Sequence, residues 1–121
     1  MNQQQELVAQ WMRKVGQEVK TKPEFPRNDI RVLRTKLIFE EFGEYELGEL
    51  NDDLPNIAKE MADMLVILYG TANAYGFDLG AVFNEVMASN NSKIGAKKRA
   101  DGKVTKGDNY KPADVEGVWL L

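Results

Sequence analysis

Apolar residues recur at helical spacing through most of the first 91 positions. Leu7, Val8, Trp11, Met12 and Val15 share one stripe and predict a helix over about 3–19, weakened near its end by Gly16. Pro23 and Pro26 mark 20–26 as a loop. A second helix starts with Asn28 as its cap and runs to about Leu50, where Asn51 and Asp52 break it. A third starts near Asp53 and Pro55, proline being acceptable in a first turn, and ends at Tyr75 before Gly76. Its stretch LVILYGTANAY is apolar on nearly all faces, which suits a central helix or a subunit interface. Asp78 caps a fourth helix to about Asn91, with Leu79, Val82, Phe83, Val86 and Met87 as its buried stripe. No strand pattern competes with these. The expected fold is all-α, a four-helix bundle in a single domain, with a helical core over about 3–92 and an irregular arm over about 93–121. Four helices of this size make a thin core, and the third has apolar surface to spare, so oligomerisation is expected.

Five carboxylates interrupt this pattern. Glu40, Glu41 and Glu44 read as E-E-x-x-E, and after 15 residues Glu60 and Asp63 read as E-x-x-D. At roughly 100° per residue the first three fall within one arc, and Glu60 and Asp63 lie one turn apart. By the same rotation Leu33 and Leu37 point close to Glu40 and Glu44. Ile57, Met64 and Leu68 lie beside Glu60, and Ile67 and Ala74 beside Asp63. The acids therefore border the apolar face, where an unpaired carboxylate costs several kcal/mol. Protonation, pairing or a cation would relieve that cost, and Mg²⁺ suits hard oxygen ligands best. The competing reading is a solvated acidic stripe.

Two zeros in the composition narrow the chemistry. Without cysteine there is no disulfide, thiolate zinc site or thiol nucleophile. Without histidine there is no Ser-His-Asp triad and no di-iron site built on Glu-x-x-His. An oxygen-liganded divalent cation remains the best fit. The net charge of −3 argues against a nucleic-acid partner for the chain as a whole. No apolar run reaches the length of a membrane span, and MNQQQELVAQW lacks the basic-then-apolar pattern of a signal peptide, so the cytoplasm is the expected location.

The arm differs in character. Lys93, Lys97, Lys98, Arg99, Lys103, Lys106 and Lys111 face only Asp101 and Asp108 over 93–111, with glycines at 95, 102 and 107. It reads either as a solvated basic tail or as a flap closing over a polyphosphate. The terminal VEGVWLL is too apolar for a free tail and is expected to dock on the bundle or on a partner subunit.

These residues resemble the MazG-type all-α nucleoside triphosphate pyrophosphohydrolases. The resemblance rests on the E-E-x-x-E and E-x-x-D pair, on EMADMLVILYGTANAYGFDLGAVFNEVMASNNSKIG, and on DGKVTKGDNYKPADV, and it covers about residues 30–115. It extends to short phage-type members and to phosphoribosyl-ATP pyrophosphohydrolase-like proteins. It implies hydrolysis of a nucleoside triphosphate between the α- and β-phosphates, giving a monophosphate and pyrophosphate, with Mg²⁺ required and Mn²⁺ able to substitute. By the same resemblance Glu41, Glu44, Glu60 and Asp63 are metal ligands. Glu40 positions or deprotonates the attacking water, which gives it and Glu41 the catalytic roles. Lys93, Lys103 and Lys106 are implied phosphate contacts, and Asn90 and Tyr110 touch sugar or phosphate. Bland alternatives stand beside these: Asn90 as a helix end, Tyr110 and Trp11 as packing residues. A homotetramer, as a dimer of dimers, is also implied.

Base preference falls outside the shared pattern. A purine, dGTP or GTP first, is the expectation, with broad dNTP house-cleaning and phosphoribosyl-ATP cleavage as alternatives within the class. A non-catalytic helical interaction module is the alternative from another class.

Overall fold

The computed structural model describes residues 1–95 and 97–121. Four helices follow in order: α1 (Gln3–Lys14), α2 (Asn28–Leu50), α3 (Leu54–Tyr75) and α4 (Leu79–Asn91). The all-α expectation holds. Among the described residues there is no strand, only an isolated antiparallel bridge between Lys98 and Val104.

Local chemistry sets most of the helix ends. The Asn2 side chain accepts from Gln5 N at 2.8 Å and starts α1. That helix stops at Lys14, five residues short of the expectation. Gly16, at φ +80°, turns the chain while Gln17 N bonds back to Met12 O at 2.8 Å. The cap of α2 is Arg27 rather than Asn28, with no side-chain bond, because Asn28 already lies within the first turn. Asp53 accepts from Asn56 N and Asp78 from Ala81 N, each at 3.1 Å, as N-caps of α3 and α4. Gly76 ends α3 at φ +84°, and a Cβ there would collide with the Lys22 carbonyl.

The α2–α3 pair is the main packing unit, with α1 laid on α3. The tight link 51–53 makes α2 and α3 antiparallel. Close approach is kept open at both ends by glycine. A Cβ on Gly48 would sit 2.9 Å from Ile57 Cγ1, and one on Gly70 would sit 2.7 Å from Arg34 Nη1. The α1–α2 loop is stitched to the end of α3 by Lys20 N to Asn73 O (2.9 Å) and Glu24 N to Tyr75 O (3.0 Å).

The apolar core is small. Among the described residues the buried hydrophobic side chains of the core are Ala9, Met12, Ala72 and Ala74. Two expectations are corrected here. Trp11 is 54% exposed and Leu7 and Val15 are similarly open, so the α1 stripe is covered only around Ala9 and Met12. Phe83 (62% exposed), Val86 and Met87 are open too, because α4 touches the other helices only sparsely. On α3, Met61, Leu65, Val66 and Leu68 are exposed as well.

The arm returns to the helices at separate points. Lys111 N donates to Ser92 Oγ and Asp114 N to Glu85 Oε1, both at 2.9 Å. Trp119 stacks on Phe77 with centroids 6.2 Å apart, and its carbonyl accepts from Asp78 N at 2.8 Å. The terminal segment thus docks at the α3–α4 corner. No helix of the described residues is long and apolar enough to cross a membrane.

Candidate functional site

Antiparallel pairing of α2 and α3 brings Glu41 opposite Glu60 and Asp63. One carboxylate oxygen from each lies within 4.8 Å of the others. Glu60 is buried, and Glu41 and Asp63 are half-buried. Three carboxylates this close repel one another strongly when ionised. The protein's own relief is partial: Lys59 Nζ sits 2.7 Å from Asp63 Oδ2 and 3.4 Å from Glu60 Oε1. Those contacts, Asp63 first, raise the Lys59 ammonium above its ordinary value.

Glu41 is left worst off. Its Oε2 is buried with no hydrogen-bond partner. Burial lifts its carboxyl above the usual range, and the hydrogen-bonding and charge of Glu60, with the charge of Asp63, push it the same way against a weaker pull from Lys59. An orphaned carboxylate oxygen beside two more carboxylates is a donor set suited to a hard divalent cation. The residues present therefore fit a metal.

The other two carboxylates stand apart from this cluster within the chain. Glu44 lies one turn beyond Glu41 and is exposed. Glu40, rotated about 100° from Glu41, faces an open groove with Arg31, Lys36, Phe39 and Tyr75 and pairs with Lys36 at 3.9 Å.

The arm residues form their own constellation. Asn90, Lys93 and Lys103 line a cavity of about 510 Å³ together with Lys98. Asn90 Oδ1 accepts from Lys93 Nζ at 3.3 Å. Lys93 and Lys106 place their ammonium groups 5.5 and 5.0 Å from the centre of the Tyr110 ring. This cavity is lined by no member of the acidic cluster.

Three buried polar residues drew no attention in the sequence. Gln5 and Asn73 bond each other across α1 and α3. Arg34 is only 6% exposed and sits against Gly70. A signal for Arg34 did exist: it is seven residues before Glu41, on the same face of α2.

An acidic triad between antiparallel helices in an all-α chain is a candidate metal centre. Residues 8–90 match the phosphoribosyl-ATP pyrophosphohydrolase family, and the chain belongs to it. Pyrophosphohydrolase chemistry and dependence on a metal come with that membership. No curated protein matches the chain.

Proposed function

We propose that the protein is a Mg²⁺-dependent nucleoside triphosphate pyrophosphohydrolase, converting a (d)NTP and water into the monophosphate and pyrophosphate, with dGTP or GTP as the first substrate. The observation that carries this reading is the convergence of Glu41, Glu60 and Asp63 with an unpartnered Glu41 oxygen.

In this reading Glu41, Glu60 and Asp63 hold the metal, with Glu44 joining from the next turn. When bound, the ion lowers the pKa of water and neutralises charge developing on the α-phosphate and the departing pyrophosphate. Glu40 orients the attacking water and accepts its proton. Lys93, Lys103 and Lys106 bind the β- and γ-phosphates, and Asn90 and Tyr110 contact sugar or phosphate. Support for the arm comes from Lys93 and Lys103, gathered with Asn90 around one cavity, and from Lys106, which lies with Lys93 over the Tyr110 ring.

The same reading includes a homo-oligomer, a tetramer arranged as a dimer of dimers. The open apolar faces of α3 and α4 support it, since a chain with so few buried apolar residues needs a partner to cover them.

Product analysis tests the reaction. The protein is incubated with each of the eight common NTPs and dNTPs in Mg²⁺, and products are separated by anion exchange. Monophosphate plus pyrophosphate is expected, fastest from dGTP. Diphosphate plus orthophosphate would overturn the assignment. The family match itself favours a second reading, phosphoribosyl-ATP as substrate, in which the same bond is broken. Direct competition between phosphoribosyl-ATP and dGTP separates the two.

A further inference from the structure

We propose that the cavity between the α1–α2 loop and the first half of α2 is the base pocket of the substrate, and that Arg34 makes it selective for a 6-oxopurine by donating to O6 and N7. The inference rests on the pyrophosphohydrolase reading of the acidic cluster and adds the residue that chooses the base.

The starting point is a buried cation with almost nothing to hold. Arg34 is 6% exposed, and burial alone shifts its guanidinium below the ordinary value. No carboxylate pairs with it among the described residues. Its one side-chain hydrogen bond, Nη2 to Gln17 Oε1, is stretched to 3.5 Å. A guanidinium stays charged and carries five donors; most make no bond within the chain, and none is sealed off from solvent as the Glu41 oxygen is, so they are open to a ligand. Gly70 makes room for this head, since a Cβ there would come within 2.7 Å of Nη1.

Arg34 also lines a cavity of about 290 Å³. Its walls are apolar at Met12, Ile30 and Leu33, and Gln17 and Glu18 of the α1–α2 loop close one side. The volume is near the lower end of ligand pockets, roughly 300 Å³. The two loop-to-α3 backbone bonds hold that wall in place.

Position and charge select the occupant. Arg34 and Glu41 share one face of α2, seven residues or about 10 Å apart along the axis. That separation suits a nucleotide whose phosphates lie at the acids and whose base reaches back toward Arg34. A planar fork of donors matches two adjacent acceptors, as O6 and N7 of guanine present them. Adenine offers an amino group at the same place, which faces a cation unfavourably. Glu18 on the rim argues against a small anion in this cavity, because its carboxylate would repel one. Glu18 is itself tied to Lys20 at 3.3 Å. Arg27 also lines the cavity but is tied to Asp29 at 3.3 Å.

The rival role for Arg34 is a distant counter-charge for the acids, which would affect all nucleotides alike. Calorimetric binding of dGMP, dIMP, dAMP and 7-deaza-dGMP to the full chain distinguishes them and needs no turnover. The expected result is dGMP and dIMP tighter than dAMP by about tenfold or more, with 7-deaza-dGMP weakened through loss of N7. Arg34→Met should remove the preference by weakening dGMP while dAMP binds no more weakly than before, with Arg34→Lys intermediate. Equal binding of dGMP and dAMP by the unaltered protein, no mononucleotide binding at all, or a uniform loss in Arg34→Met overturns the inference. The 7-deaza comparison uses the unaltered protein, so it stands even if Arg34→Met does not fold. If dGMP binding depends on Arg34 but no triphosphate is cleaved, the pocket stands and the hydrolase reading fails. If triphosphates are cleaved with an unchanged dGTP-to-dATP ratio in Arg34→Met, the hydrolase reading stands and the pocket fails.

Discussion

Near the C-terminal end of α3, Asn73 is fully buried against Gln5 of α1. Gln5 Nε2 donates to Asn73 Oδ1 (3.0 Å) and Phe77 O (2.8 Å), its Oε1 accepts from Leu79 N (3.0 Å), and Asn73 Nδ2 returns a bond to Gln5 O (3.2 Å). Earlier on the same helix, Glu60 and Asp63 face Glu41, whose Oε2 has no partner. Across the α2–α3 seam from Gly70, Arg34 has one stretched bond. The first region is a closed network, satisfied within the chain. The second holds three carboxylates at one point and an unpaired guanidinium at another, without bringing them together. Buried polar groups normally find partners in the fold. Where they do not, the unmatched group marks a place that an ion, a ligand or water can fill.

The sharpest way to break this comparison is to remove one member of the unsatisfied set. Glu41→Gln is expected to abolish turnover, by about a thousandfold or more, while helicity measured by circular dichroism persists. Normal turnover in that variant would exclude Glu41 from the site. A member of the satisfied set should behave in the opposite way. Asn73→Ala leaves one Gln5 Nε2 hydrogen without its acceptor and removes the bond to the Gln5 carbonyl, and is expected to cost about 2–4 kcal/mol in urea unfolding, with kcat of the folded protein unchanged. Loss of kcat at full stability would show that the Gln5–Asn73 network serves the chemistry after all.

A smaller effect is expected for the arm. Truncation from Gly95 onward should raise KM for the triphosphate. An unchanged KM in the truncated protein would remove the lysine cavity from the substrate site.

The smallest expected effect is on pH dependence without metal. The folded pKa of Glu41 lies above its unfolded value, so between the two the folded chain holds the extra proton. Stability should therefore fall as pH rises from the ordinary carboxylate range through the folded Glu41 value, and level off above it. Melting temperatures across that range, measured in chelator, check the slope. Glu41→Gln should flatten it, and an unaltered slope would mean that another group titrates.

Much of the fold was legible because its determinants are local. Asp53 and Asp78 cap helices by reaching three residues forward, and Gly16 and Gly76 stop them by adopting positive φ. The early end of α1 is not legible in the same way, because Val15 continues the apolar period up to the point where Gly16 turns the chain. The exposure of Trp11 and Phe83 was missed for a different reason. Helical spacing identifies an apolar stripe but not whether anything covers it, and α4 has little of this chain against it.

The site divides in the same way. That acids on α2 and α3 border apolar faces, and that a divalent cation suits them in a chain without cysteine or histidine, follows from residue order and composition. Glu40 and Glu41 differ by about 100° of rotation, and only the register of α2 on α3 picks Glu41 to meet Glu60 and Asp63. The same register sets Arg34 against Gly70 and leaves it without a carboxylate. Helix periods act over one or two turns and can be read along the chain. Which charges end up paired, and which stay unmatched, depends on contacts between residues far apart in it.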